Sequence, residues 1–228
     1  MRRGIGATSR STDEWRNRRN VIFQGRVFMG KDVKIGDFSV IGFSDESRPS
    51  ELLEAEEEFA TSLGDGVIVH SFSTIYEGAK LGACVELDSY SRIGYNSRIG
   101  PRTKIVYGAK IYDEVAIGRR CIVSGFCCDG SKIGDGTTMM GNLVHKARSP
   151  ISVDDWDAGP QTKGAPAIGR NVFIGFNSII VGPVTIGDDA KVGAGAVVLE
   201  NVDKGATVIG VPAKEPLDKV TRRDGRGR

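Results

Sequence analysis

Two histidines are the only side chains of this 228-residue sequence whose ordinary titration falls near neutral pH. His145 stands in Gly141-Asn142-Leu143-Val144-His145-Lys146, where a six-residue aliphatic rhythm gives way to a long irregular segment. Were the rhythm to continue, position 145 would be an inward aliphatic slot. A titratable ring there marks a departure and makes His145 a candidate general base. His70 follows Val69 inside an unbroken hexad and reads as surface decoration. Two histidines are too few for a three-histidine zinc site. The four cysteines form no metal-like C-x-x-C pair, and no nucleophile is paired with a base, which argues against covalent catalysis.

The rhythm that frames His145 organises the whole chain. From Leu63 to Val123 an aliphatic residue returns at every sixth position, eleven times in succession. Period six fits neither the 3.6-residue helix nor simple strand alternation. The fourth residue after each aliphatic one is small or β-branched (Val67, Ser73, Ala79, Val85 and onward to Cys121 and Cys127), as a crowded interior slot requires. Cys121 and Cys127 therefore read as buried thiols, while Cys84 and Cys128 lie elsewhere in their hexads. Glycine often follows the aliphatic residue, as in Leu81-Gly82 and Ile99-Gly100, where it tolerates a tight corner. The rule, aliphatic-Gly-x-x-small-x, is that of an all-β parallel β-helix.

Domain boundaries follow from where the rule holds. Residues 1–22 form a polar lead-in, 23–214 a single hexapeptide-repeat domain, and 215–228 a basic tail. Two stretches interrupt the domain. Residues 44–62 break the rhythm, and within them Glu51 to Leu63 places Leu52, Ala55 and Phe59 at helical spacing, which predicts a short helical insertion. Residues 146–167 form a long loop of the kind that carries function, with Asp154, Asp155, Trp156 and Asp157 together. An aromatic face flanked by carboxylates suits a sugar hydroxyl or amine; the same Trp156 could equally pack on its own prism. About twenty-four hexads at three per turn give about eight coils, with a height of roughly 35–40 Å.

Composition narrows the partners. A net charge of +2 argues against nucleic acid as the main partner, and the arginines cluster at the two ends as solvated tails. The basic N-terminus lacks an apolar segment behind it, no apolar run is long enough for a bilayer, and no disulfide framework is visible, so a reducing cytoplasm is expected.

On these residues the sequence resembles the hexapeptide-repeat acyltransferase family, whose fold is a left-handed parallel β-helix. The likeness runs from Phe23 to Lys214 and is most specific from Gly164 to Lys214, where Gly164-Ala165-Pro166, Ile168-Gly169 and Gly210-Val211-Pro212-Ala213-Lys214 stand at the family's landmarks. The resemblance implies an acetyl-CoA-dependent acetyltransferase acting on a hydroxyl or amine of a sugar-like molecule, such as a nucleotide-linked amino sugar. It implies a homotrimer with acetyl-CoA in the groove between neighbouring prisms and no metal. His145 takes the base's position. Gly175, Phe176 and Ala194 take the positions whose backbone meets pantetheine, with the amide of Phe176 or Gly175 serving the oxyanion. Pro212 lies under the adenine and Lys214 meets the CoA phosphates. Asn142 either bonds the acceptor or fixes a turn, Trp156 and Asp155 face the acceptor, and Asp154, Asp155 and Asp157 are candidates to orient His145. Relatives often carry Thr-Lys where this chain has Leu199-Glu200, so a phosphate contact is lost and a carboxylate gained. The alternative to an enzyme is a non-catalytic β-helix scaffold or a degenerate CoA-binding homologue.

Overall fold

A computed structural model describes residues 20–44, 60–146 and 162–216. Each hexad makes one short strand and one corner, and three hexads make one coil. Register shows this directly: Arg92 and Ile93 pair in parallel with Lys110 and Ile111, 18 residues on. Stacking the coils gives three parallel sheets of nine, eight and nine strands, which form the sides of a prism. Eight spacings of about 4.8 Å make it about 38 Å tall.

Sheet A carries the functional argument. Its strands are β1 (Ile22–Phe23), β4 (Val40–Phe43), β7 (Thr74–Tyr76), β10 (Arg92–Ile93), β13 (Lys110–Ile111), β16 (Phe126–Cys127), β19 (Asn142–Val144), β22 (Ile179–Val181) and β25 (Val197–Val198). Sheet B includes β5 (Thr61–Leu63), β17 (Lys132–Ile133) and β20 (Ala167–Ile168); sheet C includes β18 (Thr138–Met139), β21 (Phe173–Ile174), β24 (Lys191–Val192) and β26 (Thr207–Val208). The chain winds A to B to C, so the prism has an A–B, a B–C and a C–A corner. The fold is a left-handed parallel β-helix.

The core is the column of aliphatic slots, with Ile75, Ile93, Ile111, Leu143 and Ile180 fully buried. Small slots accept hydroxyls because each one has a carbonyl to meet. Ser97 Oγ donates to Tyr112 O at 2.8 Å, Thr103 Oγ1 to Gly118 O at 2.7 Å and Thr137 Oγ1 to Gly169 O at 2.8 Å. Burying these hydroxyls therefore leaves none unsatisfied. Cys121 uses the same slot, its Sγ 3.2 Å from Gly134 O.

Three expectations change. Cys127 is buried but occupies the aliphatic strand slot, paired with Ile111 and Leu143, not the small one. The C–A corners of two successive coils are two residues short (Val123 to Cys127, Met139 to Leu143), which shifts the phase. For the same reason Leu143, not position 145, fills the inward slot, and His145 falls at the corner beyond it. Finally, the helical reading of Glu51 to Leu63 fails at its end, where Thr61–Leu63 pairs as strand β5 with β2 (Val27–Met29). The rest of that insertion, 45–59, lies outside the described residues.

Candidate active site

His145 is placed by β19. Val144 pairs in register with Val181, and its carbonyl accepts the Gly182 amide at 2.8 Å, which fixes the strand end. One residue on, the imidazole is half-buried at the A–B corner, and its Nε2 is shielded from solvent with no hydrogen-bond partner among the described residues. An unpartnered buried nitrogen is costly to fold around, so its position calls for a partner brought by something else.

The long loop leaves and rejoins at this same corner. Thr162 packs so closely on Gly130 that a Cβ there would meet it, and Gly164 O sits against Gly182. The Gly164-Ala165-Pro166 landmark is thus beside the end of β19. Asp154, Asp155, Trp156 and Asp157 lie outside the described residues. Asn142 Oδ1 accepts the Phe126 amide of the preceding coil at 3.1 Å.

His70 follows the strand Ile68–Val69 of sheet C, several coils from His145, in a surface cluster. Its Nε2 is 3.2 Å from Glu86 Oε1, and Lys104 Nζ is 3.0 Å from the same oxygen. The Lys104 hydrogen bond holds the Glu86 carboxyl below its ordinary range against partial desolvation, with His70 adding to it. Among the described residues no three His, Cys, Asp or Glu side chains converge as a metal site. Burial pushes the Cys128 thiol up to about 11 and raises Cys127 further and Cys121 as well, so these thiols are inert packing groups.

The residues assigned to CoA form one column. Gly175 and Phe176 turn the C–A corner after β21, and Ala194 turns it one coil later after β24. Above them Ile209 and Lys214 exchange backbone hydrogen bonds of 2.9 Å, closing a hairpin that carries Pro212 over β25. The hairpin is held there by Val197 N donating to Gly210 O at 3.0 Å and Ala213 N to Val197 O at 2.8 Å. Gly193 keeps the approach open, since a Cβ would strike Ile209.

Within this column the amides differ. Gly175 N already donates to Val192 O at 2.8 Å, so this amide is engaged within the stack. The amides of Phe176 and Ala194 have no partner among the described residues, and both residues are exposed. The reason lies two residues past each aliphatic slot. At several places on the other corners an aspartate there caps the equivalent amide of the coil below: Asp113 takes Tyr95 N at 3.0 Å, Asp135 takes Arg119 N at 2.9 Å and Asp188 takes Arg170 N at 2.7 Å. Over Phe176 the same position is Ala194, and over Ala194 it is Gly210. Neither side chain can accept a hydrogen bond. The linear sequence does not show this pattern, because only the 18-residue register reveals which residues stack.

Lys214 Nζ is 3.4 Å from Glu200 Oε2, so the carboxylate gained at position 200 meets the lysine assigned to phosphate. Lys204 is 3.9 Å from Asp189. Across sheet A the column and His145 stand at opposite corners. Between them lie the turn at Phe176 and Asn177, with Asn177 at a φ of 57°, and strand β22.

The architecture defines a class, a parallel β-helix of hexapeptide repeats, and the comparisons with known proteins agree. Residues 166–200 match the family described as "Bacterial transferase hexapeptide (six repeats)". The chain is 34% identical over 185 residues to the "Bifunctional protein GlmU" of Acinetobacter baumannii (strain ACICU), covering 78% of this chain and 37% of that protein. It is 31% identical over 191 residues to the protein of that name in Acidithiobacillus ferrooxidans (strain ATCC 53993 / BNL-5-31), covering 83% of this chain and 36% of that one. The chain therefore spans well under half the length of these curated relatives. Among solved structures, the UDP-N-acetylglucosamine O-acyltransferase (LpxA) from Moraxella catarrhalis RH4 superposes with a TM-score of 0.56 at 16% identity, over 92% of this chain and 77% of that one, a likeness of fold. The chain belongs to the hexapeptide-repeat acyltransferase family.

Proposed function

We propose that this protein is a cytoplasmic acetyl-CoA-dependent acetyltransferase that acts on a hydroxyl or amine of a sugar-like acceptor, a nucleotide-linked amino sugar being one such molecule. The observation that carries this reading is the pairing of an unpartnered imidazole nitrogen, His145 Nε2, with unpartnered turn amides at Phe176 and Ala194 on the adjacent coils. His145 Nε2 takes the proton of the acceptor as its oxygen or nitrogen attacks the thioester carbonyl. The Phe176 amide donates to the oxyanion of the tetrahedral intermediate. Collapse expels the CoA thiolate, which takes the proton back from the imidazolium, and no acyl-enzyme forms. Pantetheine runs up the C–A corner past Ala194 toward Pro212 and Lys214. Trp156 and Asp155 on the loop face the acceptor, and one of Asp154, Asp155 and Asp157 orients the second imidazole nitrogen.

The active assembly is a homotrimer with the donor between prisms. Supporting this is the placement of His145 and the column at opposite corners of sheet A within one chain, a gap that a neighbouring copy closes by bringing its A–B corner to the C–A corner. The Lys214–Glu200 pair favours a second reading, a homologue that binds CoA weakly and turns over slowly.

Calorimetric titration of acetyl-CoA, followed by thiol release with candidate amino sugars, tests the proposal. Saturable binding near one site per chain, weakened in Lys214→Ala, and thiol release lost in His145→Ala are expected. No binding at millimolar acetyl-CoA contradicts it.

A further inference from the structure

A row of rings on the outer face of sheet A has a gap in it. Tyr76 follows the aliphatic slot of β7 and Tyr112 that of β13, and between them in register stands Gly94. Glycine leaves the two phenols two coils apart, about 10 Å, with no side chain of their own row between them. The space is a slot for one flat group. Arg92, from the neighbouring row of the same strand, lays its guanidinium there, 4.2 Å above the Tyr76 ring and 4.4 Å from that of Tyr112. More rings surround the slot. Tyr95 meets Tyr76 at 4.8 Å, Phe43 meets it at 5.0 Å and Phe126 meets Tyr112 at 4.8 Å.

Arg92 fits this slot well by its faces and poorly by its edge. Its side chain is only 25% exposed, and Nη1 is shielded from solvent with no hydrogen-bond partner among the described residues. Nη2 lies 3.6 Å from Asp113 Oδ1, too far for a hydrogen bond, and that oxygen already accepts the Tyr95 amide at 3.0 Å. An orphaned donor on a buried cation is costly, and such an atom in a folded protein marks a missing partner. The slot therefore suits a flat, uncharged ring better than the cation that fills it.

We propose that the slot between Tyr76 and Tyr112 is a nucleobase site whose place Arg92 holds in the free protein, and that the acceptor is a sugar carried on a nucleoside diphosphate. Stacking between aromatic rings accepts any base, because every base has a π-face. With a base in the slot, the guanidinium swings outward and meets the phosphates, for which its planar fork is matched. The order of groups up the sheet agrees. Arg92 pairs in register with Lys110, Lys110 with Phe126 and Phe126 with Asn142. Lys110, exposed one coil above the slot, meets the same phosphates. The half-buried Phe126 ring on the next coil carries the sugar. His145 turns the corner one coil above Phe126, so the base lies three coils, about 14 Å, below the imidazole. The extension to the acceptor rests on the proposed function; the slot itself does not.

The test is calorimetric titration of UDP, GDP, ADP and dTDP, each beside its own nucleoside, into wild type, Tyr112→Leu, Lys110→Ala and Arg92→Ala. Melting temperatures are recorded for all four proteins. At least one diphosphate is expected to bind wild type near one site per chain. Tyr112→Leu weakens both that diphosphate and its nucleoside at least tenfold, whereas Lys110→Ala, an exposed change that leaves the fold intact, weakens only the diphosphate. Arg92→Ala empties the slot, so the nucleoside binds at least threefold tighter than to wild type. A purely structural Arg92 would lower the melting temperature and leave nucleoside affinity unmoved or weaker, which overturns the proposal. No diphosphate binding at millimolar concentration overturns it as well, as does equal affinity in wild type, Tyr112→Leu and Lys110→Ala. If the diphosphate binds as expected but amino sugars linked to it draw no thiol release, the slot stands and the proposed function fails. If free amino sugars are acetylated and no diphosphate binds, the proposed function stands and the slot fails.

Discussion

The B–C and C–A corners of this prism are made from the same hexad and differ in what stands two residues past the aliphatic slot. At the B–C corner Asp135 and Asp188 close the amides of the coil below, and the Arg119 and Arg170 side chains pair with those carboxylates at 2.9 and 2.8 Å. At the upper C–A corner Ala194 and Gly210 leave the amides of Phe176 and Ala194 open. At these heights the B–C corner is finished within the chain and serves stability. The other is left unfinished, and an unfinished donor row on a rigid stack is a place to hold a ligand's carbonyls.

The comparison can be broken at several points. The largest effect is expected from His145→Ala, which should lower kcat by roughly 10²–10⁴-fold with an unchanged melting temperature. An equal loss of stability would show that the imidazole is a packing group. Next, glycine substitution should separate the crowded from the open places within a corner. Gly118→Ala drives a Cβ into the backbone of Asp135 and should cost roughly 2–3 kcal/mol in chemical denaturation. Gly195→Ala meets nothing within 4 Å and pays only for its φ of 66°, about 1 kcal/mol. Equal costs would mean that the next coil does not press on Gly118 as closely as the structure has it. Ser97→Ala, which loses the 2.8 Å bond to Tyr112 O and leaves the buried Val115 amide without its 3.2 Å acceptor, should cost about 1–2 kcal/mol and leave activity intact.

The smallest effect concerns the thiols. With Cys128 raised to about 11 and Cys127 and Cys121 also raised by burial, native protein at pH 8 should expose only Cys84 to a thiol reagent. All four should react after denaturation. Rapid native reaction of two or more would mean the core opens locally.

Much of the fold was legible because one inward side chain per hexad must be aliphatic, so the period survives in the sequence. What misled was the assumption of constant corner length. Two corners lose two residues each, so Cys127 and Leu143 take strand slots that counting by six assigns elsewhere, and His145 moves out of the interior to the A–B corner. The Glu51–Leu63 segment reads as helix from local spacing, yet Thr61–Leu63 is held as strand by pairing with Val27–Met29, a contact that local periodicity does not encode. At the site, His145 could be picked out by type and context. The open amides could not, because a backbone donor has no letter of its own. They appear only when residues 18 apart are stacked and the missing aspartate is noticed. The tyrosine slot was hidden for the same reason: Tyr76, Arg92 and Tyr112 are scattered in sequence and adjacent only in the coil.

The central claim is that the donor lies on the amides left open at the C–A corner, and Ala194→Asp addresses it most directly. The new carboxylate would cap the Phe176 amide as Asp188 caps that of Arg170. Calorimetric titration of acetyl-CoA into wild type and variant should give about one site per chain in the wild type and at least tenfold weaker binding in the variant, with the melting temperature equal or higher. Equal affinity in the two proteins would contradict the account.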